Sequence, residues 1–489
     1  MNKLSEFQSF RQINLLKIEP NARYSESYEY FMDWLVSRTK STWFGKFVEL
    51  YVRYVVQHPI VCLFHEWLHR VLFLEWRRRI VYPFFRKWLS GVFPSDAERW
   101  RPLVKLGEYA NIKGIQTIKL LDGAKVCINA PDVFPRDEQS NLQAQQDCFE
   151  FPPVYVAKIC KSLVYGGTNL VFVVNDVVCH DLYRFETDFT SEELHKRHLI
   201  DPNGRLRLLC HDTEPHRIPV AATFVDACAS NYAHWLTEVL PRISAFCSDL
   251  RFESIPIIVN DGLHPNIMES LRAIVGRKRL VILLPIGRAV DVEFLYVTSV
   301  TGYVPFEPRN SKHIAISQGV FSPPAISLMR KRLLDRAALL PGENWPKRIF
   351  IHRNSMIRKL TNSAVVEERF SALGYAVVEP EKLSLFQQVA LFANADEIAG
   401  PTGAALANAI FCNSGTSIIV LMAKHRHMVY RYWLNLLAPI KIDLTYVLGN
   451  IDANSRQGIH GDFSVSVNHV NALLESRCAP TSRTNLQVQ

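Results

Sequence analysis

From about residue 115 onward, short apolar runs alternate with helical segments, and this alternation restricts the chain to α/β folds. The pattern predicts helices at 231–247 and 266–275, and strands at 171–174, 219–225, 255–259, 280–284 and 292–297. Because strand–helix–strand units place their strands parallel, this part of the chain is expected to form a parallel sheet covered by helices.

A second unit with a more regular alternation follows. A helix rich in Arg and Leu is predicted from Ser322-Pro323-Pro324 to about residue 340. Beyond it the pattern predicts strands at 348–352, 375–378, 397–399 and 417–421, and helices at 365–373 and 385–393, the last capped by Ser384. Two such units in tandem enclose a cleft, and open α/β sheets bind ligands beyond the carboxyl ends of their strands. The predicted fold class is α/β, with two Rossmann-like doubly wound domains facing a cleft and an N-terminal helical extension.

The length of 489 residues suits two to three domains of about 150 residues each. The predicted boundaries are a basic, aromatic-rich helical region at 1–110, a first Rossmann-like domain at 111–321, a second at 322–450, and a C-terminal helix with a polar tail at 451–489. The ten cysteines form no C-x-x-C pair, which favours reduced thiols. The sequence also shows neither a secretory signal nor an apolar run of about 18 to 20 residues, so a cytoplasmic location is expected.

Residues 42–93 hold fourteen aromatic residues and eight Lys or Arg against three Glu, within a chain of formal net charge +9. Pro59 and Pro83 divide this stretch into three helical pieces, and the middle piece has one apolar stripe. Two interpretations stay open. The stretch is either a helical subdomain packed on the main body or a surface that binds an anionic membrane at the inner face of the plasma membrane.

Two histidine motifs are weak metal candidates. His65 and His69 fit the H-E-x-x-H spacing of zinc peptidases, but they lie on the polar face of a basic helix and lack an obvious third ligand. His425 and His427 point in different directions in a helix, so they are interpreted as a basic surface or a phosphate contact. No metal and no cofactor are predicted.

Candidate diphosphate ligands lie in the second unit. Gly400, Thr402, Gly403 and Ala404 form a turn between a strand and a helix start, which is typical of phosphate sites. Arg353 and Arg358 follow the predicted strand at 348–352, and Arg holds a diphosphate by bidentate hydrogen bonds. Asn362 is the predicted cap of the next helix. The same residues also suit a plain turn and surface arginines. No Asp-x-Asp occurs, so Arg, Lys and helix N-termini would have to neutralise any diphosphate.

A candidate acid–base pair lies in the first unit. His234 and Glu238 are four residues apart on a helix that Asn231 is predicted to cap. The carboxylate would orient the imidazole and suit it to general-base catalysis near neutral pH. The same spacing also describes an ordinary surface pair worth a few tenths of a kcal/mol.

Together these segments resemble glycosyltransferase family 61, over about residues 215–425. Residues 231–242 resemble its N-x-x-H-W-x-x-E-x-L-P-R motif, and the second signature includes Arg353, Arg358, Asn362 and Gln388 and closes with G-P-x-G-A-x-L-x-N-x-x-F at 400–411. The resemblance implies an inverting, metal-independent enzyme of GT-B architecture that uses nucleotide sugars. The chain departs from the family's pattern at Thr402, Ser363 and Val420, where His, Glu and Glu are common.

The resemblance assigns roles residue by residue. His234 and Glu238 would be catalytic, and Asn231, Trp235 and Arg242 would lie on the acceptor side. The donor-binding residues would be Arg353, Arg358, Asn362, Gly400, Thr402, Gly403, Ala404 and Asn408. The predicted function is transfer of a hexose or pentose from a nucleotide sugar to a cell-surface polysaccharide, such as capsule or lipopolysaccharide, or to a lipid-linked glycan, with no nucleic-acid partner. The alternatives are a catalytically silent carbohydrate-binding scaffold of a polysaccharide assembly complex and, more distantly, a zinc peptidase.

Overall fold

The computed structural model describes two large sheets whose helices share one core. It covers residues 14–18, 100–138, 147–186, 188–189, 198–200, 205–208, 214–305, 307–308, 319–339, 344–355, 357–424, 431–452, 455 and 461–478. The segment 42–93, both histidine motifs and the polar tail beyond 478 lie outside these residues, so the predictions made for them stay predictions.

The strands are, in chain order, β1 (Asn14–Lys17), β2 (Arg101–Lys105), β3 (Ile118–Leu121), β4 (Ala124–Ile128), β5 (Asp132–Phe134), β6 (Asp147–Phe151), β7 (Val154–Tyr165), β8 (Val171–Phe172), β9 (Val177–Cys179), β10 (Asp188–Phe189), β11 (His198–Ile200), β12 (Arg205–Leu208), β13 (His216–Thr223), β14 (Ile257–Asn260), β15 (Leu280–Leu284), β16 (Ala289–Thr298), β17 (Gly302–Tyr303), β18 (Glu307–Pro308), β19 (Val320–Phe321), β20 (Arg348–Ile351), β21 (Ala376–Val378), β22 (Glu397–Pro401), β23 (Ser417–Ala423), β24 (Asp443–Ile451) and β25 (Phe463–Ser464).

The helices are α1 (Leu106–Ile112), α2 in three consecutive parts (Tyr232–His234, Trp235–Val239 and Leu240–Ser248), α3 (Pro265–Val275), α4 (Pro323–Ala337), α5 (Ser363–Ala372), α6 (Leu385–Asn394), α7 (Arg431–Leu437) and α8 (Val467–Cys478). Short 3₁₀ helices span Arg136–Glu138, Leu250–Phe252, Pro380–Lys382, Ala404–Phe411 and Ala438–Ile440. Among the described residues, no helix combines the length and the apolar character needed to cross a membrane.

The first sheet is mixed, which corrects the predicted parallel sheet. Strands β1, β15, β14, β13 and β16 are neighbours in that order and run parallel. Strand β16 then pairs antiparallel with β7, and the sheet continues through β8 and β9 to β2, β12 and β11. The sequence pattern did not predict β7, because exposed Lys158 and Lys161 interrupt its apolar residues. Alternating burial of this kind is typical of antiparallel strands.

The second sheet has the predicted parallel core. Its order is β21, β20, β22, β23 and β24, with every adjacent pair parallel. Strand β5 extends this sheet beside β24, although its residues lie within the region predicted to form the first domain. The sequence range of the first unit therefore contributes a strand to the second sheet. The domain boundaries themselves stay predictions.

The described residues of the N-terminal region, which was predicted to be helical, form two strands and the start of α1. Strand β1 pairs with β15 at the edge of the first sheet, and β2 pairs with β9. Residues 19–99 lie outside the described part of the chain.

One disulfide corrects the expectation of reduced thiols. Cys127 in β4 and Cys148 in β6 occupy opposite positions of an antiparallel hairpin and form a disulfide with Cα atoms 4.2 Å apart. Their 21-residue separation hid the pairing from a search for C-x-x-C spacing. Cys160, Cys247 and Cys412 are free thiols.

The largest hydrophobic core lies between the two sheets. It includes Trp235, Phe246, Met329, Phe392 and Tyr446, which come from both units and from α4. Helix α4 packs against α2, α3 and α6, and the Arg330 guanidinium donates to the Ile410 and Cys412 carbonyls. Separate cores cover the outer faces of the two sheets. The linker helix predicted after residue 322 is therefore the element on which both units pack.

Candidate active site

Both halves of the candidate site lie where strand order reverses in a sheet. In the first sheet β13 is flanked by β14 and β16, and in the second β20 is flanked by β21 and β22. The chain leaves neighbouring strands in opposite directions at such points, which opens a crevice at their carboxyl ends. Asp226 follows β13 and Gly302 follows β16. Arg353 follows β20, and β22 ends in the glycine turn.

Helix α2 positions the predicted acid–base pair. The Asn231 side chain accepts a hydrogen bond from Ala233 N at 3.0 Å and caps the helix, as the sequence predicts. Residues Trp235–Val239 form a π-helical turn. Pro241 accounts for this wider turn, because it has no N–H for the Thr237 carbonyl and its ring crowds that carbonyl.

His234 and Glu238 are in contact across the start of this turn. His234 Nδ1 lies 2.5 Å from Glu238 Oε1, and both side chains are largely buried. The carboxylate only accepts, so Nδ1 carries the proton and Nε2 is the basic nitrogen. Burial lowers the pKa of His234, but Glu238 and Asp226 favour the imidazolium more strongly, and the pKa is raised above 6.5 overall.

The pair faces a polar pocket at the carboxyl end of the first sheet. The pocket is lined by Asn169, His180, Asp226, His234, Glu238, Arg242, Val300, Gly302, Tyr303 and Val304. Arg242 is buried and pairs with Asp226 at 3.8 Å between Nη2 and Oδ2. Gly302 is required where it stands, because a Cβ there would lie 2.6 Å from the Thr237 carbonyl oxygen and 3.0 Å from Glu238 Cγ.

Arg353 packs directly on the glycine turn of the second sheet. Its Nη1 donates to the Thr402 carbonyl at 2.9 Å, and a Cβ on Gly403 would lie only 1.6 Å from the same nitrogen. A side chain at 403 would therefore displace the guanidinium. Burial, and to a lesser extent the nearby Arg358, lower the pKa of Arg353 to about 10, so the residue stays a cation at neutral pH.

Arg358 is the second partly buried cation of this half-site. Burial lowers its pKa. Its φ of 54° places it in the left-handed region, which is uncommon for a residue with a side chain and concentrates at ligand-binding positions. Within the described residues, its buried Nε has no hydrogen-bond partner.

Helix α7 connects the two half-sites, and the sequence pattern did not predict it. Tyr432 packs against the main core and is partly buried. Burial raises the pKa of its hydroxyl, and Thr237, Glu238 and Arg358 lie near enough to influence that pKa. The next residue, Trp433, donates from Nε1 to Thr402 Oγ1 at 3.1 Å. Of these two adjacent side chains, one thus lies near the acid–base helix and the other bonds to the glycine turn. In the sequence, the signal for this part of the site was the pair of consecutive aromatic residues Tyr432 and Trp433.

Three predicted ligands have their polar groups engaged within the protein. Asn362 is at the cap position, but its amide bonds the Val465 backbone instead of the helix N-terminus. Asn408 is buried, donates to Gln388 Oε1 at 2.8 Å and accepts from the Tyr232 hydroxyl at 2.7 Å. Trp235 is fully buried and donates to Ser270 Oγ, so it presents no surface to an acceptor.

The remaining turn residues flank Thr402 and Gly403. Gly400 lies in β22 against Ile351, where a Cβ would be 2.8 Å from the Ile351 Cβ. Ala404 begins the 3₁₀ helix, so the turn leads into 3₁₀ rather than α geometry. Val420 is fully buried in the main core. Among the described residues, no group of three or more His, Cys, Asp or Glu is arranged to hold a metal ion.

The region that contains both half-sites also matches a known family. Residues 232–419 match the family model Glycosyltransferase 61. The match covers less than half of the chain and includes His234, Glu238, Arg353, Arg358 and the glycine turn, and it supports glycosyltransferase activity. No curated protein matches the chain significantly. The Glycosyltransferase 61 region ends before Tyr432 and begins after Asn169, His180 and Asp226, so part of the site is built by flanking segments.

Proposed function

We propose that the protein is an inverting, metal-independent glycosyltransferase of GT-B type that transfers a sugar from a nucleotide donor to a polysaccharide or glycolipid acceptor. The observation that carries the proposal is the hydrogen bond of 2.7 Å from the Tyr232 hydroxyl to Asn408 Oδ1, which joins the helix of the acid–base pair to the 3₁₀ helix after the glycine turn. This bond supports a common cleft for the acid–base pair and the two partly buried arginines. An inverting displacement requires these two elements: a base for the acceptor hydroxyl and cations for the leaving diphosphate.

Arg353 and Arg358 form the proposed donor site. Two partly buried guanidinium groups near each other are costly without an anion: burial, and then the charge of Arg358, lower the pKa of Arg353. A diphosphate would offset this repulsion with charge-assisted bonds. The glycine turn brings backbone beside Arg353, and Gly403 keeps the space for its guanidinium open.

Calorimetry with nucleoside diphosphates tests this site. We expect Arg353→Ala and Arg358→Ala each to weaken binding by about 1.5 to 3 kcal/mol, the worth of a charge-assisted bond. Arg369→Ala, which removes an exposed arginine from α5, is the matched control and should bind as the unaltered protein does. Unchanged affinity in both site variants would remove these arginines from the donor site.

His234 is the proposed general base and Glu238 its positioning residue. The Nδ1–Glu238 contact leaves Nε2 to take the acceptor proton, and Arg242 and Asn231 lie on the proposed acceptor side. An assay for sugar release from a bound nucleotide-sugar donor distinguishes the two functions. A glycosyltransferase releases the sugar, whereas a silent carbohydrate-binding scaffold does not.

Residues 42–93 are proposed to hold the enzyme on the cytoplasmic face of an anionic membrane. Their eight cations would each contribute about 1 kcal/mol near such a surface, and their aromatic residues would insert at the interface. We expect co-sedimentation with anionic vesicles at low salt, little with neutral vesicles, and release at high salt. Equal binding to both vesicle types, or to neither, would refute membrane attachment.

A further inference from the structure

The pocket beside His234 contains polar groups that neither the family match nor the proposed acid–base chemistry uses. Asn169 lies between β7 and β8, and His180 directly follows β9. Both side chains line the pocket together with His234 and Glu238. The antiparallel extension of the first sheet therefore supplies one wall of the proposed acceptor site.

The charges in this pocket already compensate one another. Arg242 is paired with Asp226, and His234 is paired with Glu238. The lining thus has two carboxylates against one permanent cation and one titrating imidazole. An added anion would gain little attraction and would lie near both carboxylates, whereas an uncharged ligand meets no such repulsion.

Asn169 and His180, which have no part in the proposed acid–base chemistry, carry uncharged hydrogen-bonding groups. Burial, together with Arg242 and Lys105, lowers the pKa of His180 to about 3, so its imidazole is neutral at physiological pH. Within the described part of the chain, neither His180 Nδ1 nor Asn169 Oδ1 has a hydrogen-bond partner, although both atoms are buried. Buried polar atoms are generally paired, so these two indicate a ligand that supplies hydroxyl groups. The Tyr303 ring, 4.9 Å from that of His180, adds an apolar surface to the same pocket.

We infer that this pocket binds an uncharged sugar ring of the acceptor, and that Asn169 and His180 are the residues that select its hydroxyl groups. The inference rests on the proposed glycosyltransferase function and specifies its acceptor: the unit that receives the new sugar is a neutral one, not a uronic acid or a phosphorylated sugar. Tyr303 would lie against the C–H face of the ring, and His234 would face the reacting hydroxyl.

Titrations followed by saturation-transfer NMR test the inference on the full-length protein. The probes are the methyl glycosides of glucose, galactose, mannose and xylose, with methyl glucuronide as the charged comparison. We expect at least one neutral glycoside to bind, and the glucuronide to bind at least about tenfold more weakly than glucoside because of the two carboxylates. Binding of no neutral glycoside, or equal binding of the glucuronide, would overturn the inference.

Variants then locate the binding. Asn169→Ala and His180→Ala should each weaken neutral glycoside binding by about fivefold, the worth of one hydrogen bond. Asn175→Ala, an exposed amide on the same hairpin, is the matched control and should bind normally. Circular dichroism identifies any variant that fails to fold, and either site variant alone decides the question. Unchanged affinity in a folded site variant would overturn the inference.

The glycosyltransferase proposal and the sugar-subsite inference can each be refuted without refuting the other. Arg353→Ala should weaken nucleotide binding and leave glycoside binding unchanged, because the two ligands occupy different half-sites. A protein that binds glycosides through Asn169 but no nucleotide would refute the transferase proposal alone. Nucleotide binding without any effect of Asn169→Ala or His180→Ala would refute the sugar subsite alone.

Discussion

At the residue scale, His234 combines two opposing influences. Burial favours the neutral imidazole, whereas Glu238 and Asp226 favour the cation, and the carboxylates prevail. A general base acts only when unprotonated, so its raised pKa reduces the active fraction at and below neutral pH. In return, the more basic imidazole takes the acceptor proton more readily. The contact with Glu238 thus increases both the strength of the base and the pH at which it works.

This balance predicts the pH dependence of the reaction. We expect kcat/KM to rise with pH through a value above 6.5, as His234 loses its proton. Glu238→Gln removes the main charge that raises this pKa and should shift the rise to lower pH. His234→Ala should lower kcat by about 10² to 10⁴ while nucleotide affinity stays nearly unchanged. pH–rate profiles of the three proteins provide the measurement.

Two results would contradict these assignments. A rate loss below about threefold in His234→Ala would transfer the base role to another residue, with Glu238 and Asp226 next in line. An unshifted profile in Glu238→Gln would show that Glu238 does not set the pKa of the catalytic base.

At the element scale, local sequence signals predicted local structure well. Ser384 and Gln387 form a reciprocal capping box at the start of α6, and Asn231 caps α2. The predicted strand at 280–284 coincides with β15. These features depend on residues within a few positions of one another, and the sequence therefore contains the necessary information.

Features that depend on distant residues were missed. The pairing of β5 with β24 and the Cys127–Cys148 disulfide bring together separate segments that carry no mutual signal in one sequence. The close approach of Gly302 to the π-helical turn likewise joins segments that are far apart in the chain. For the site, both motifs were identifiable from spacing. The contribution of Tyr432 was not, because it requires knowing how α7 packs between the two sheets.

At the scale of the whole molecule, the two sheets are joined by a continuous core and by specific polar contacts. The main core includes side chains from both units, and β5 links them through the backbone. The hydrogen bond from Tyr232 to Asn408 connects the acid–base helix to the 3₁₀ helix after the glycine turn. If one unit unfolded alone, it would expose the apolar surface that the other unit buries against it. Independent unfolding of either unit is therefore unfavourable.

Tyr232→Phe tests this coupling. The substitution removes one hydrogen bond and deprives the buried Asn408 oxygen of that donor, which should lower the free energy of unfolding by about 1 to 3 kcal/mol. Because the core spans both units, we expect one transition in denaturant, with tryptophan fluorescence and circular dichroism moving together to a lower midpoint. Asn413→Ala is the control, since it removes a more exposed bond to Ala393 within the second unit and should cost less. Two separate transitions, of which only one responds to Tyr232→Phe, would show instead that the units fold independently and that the cleft is held by weaker forces than a common core.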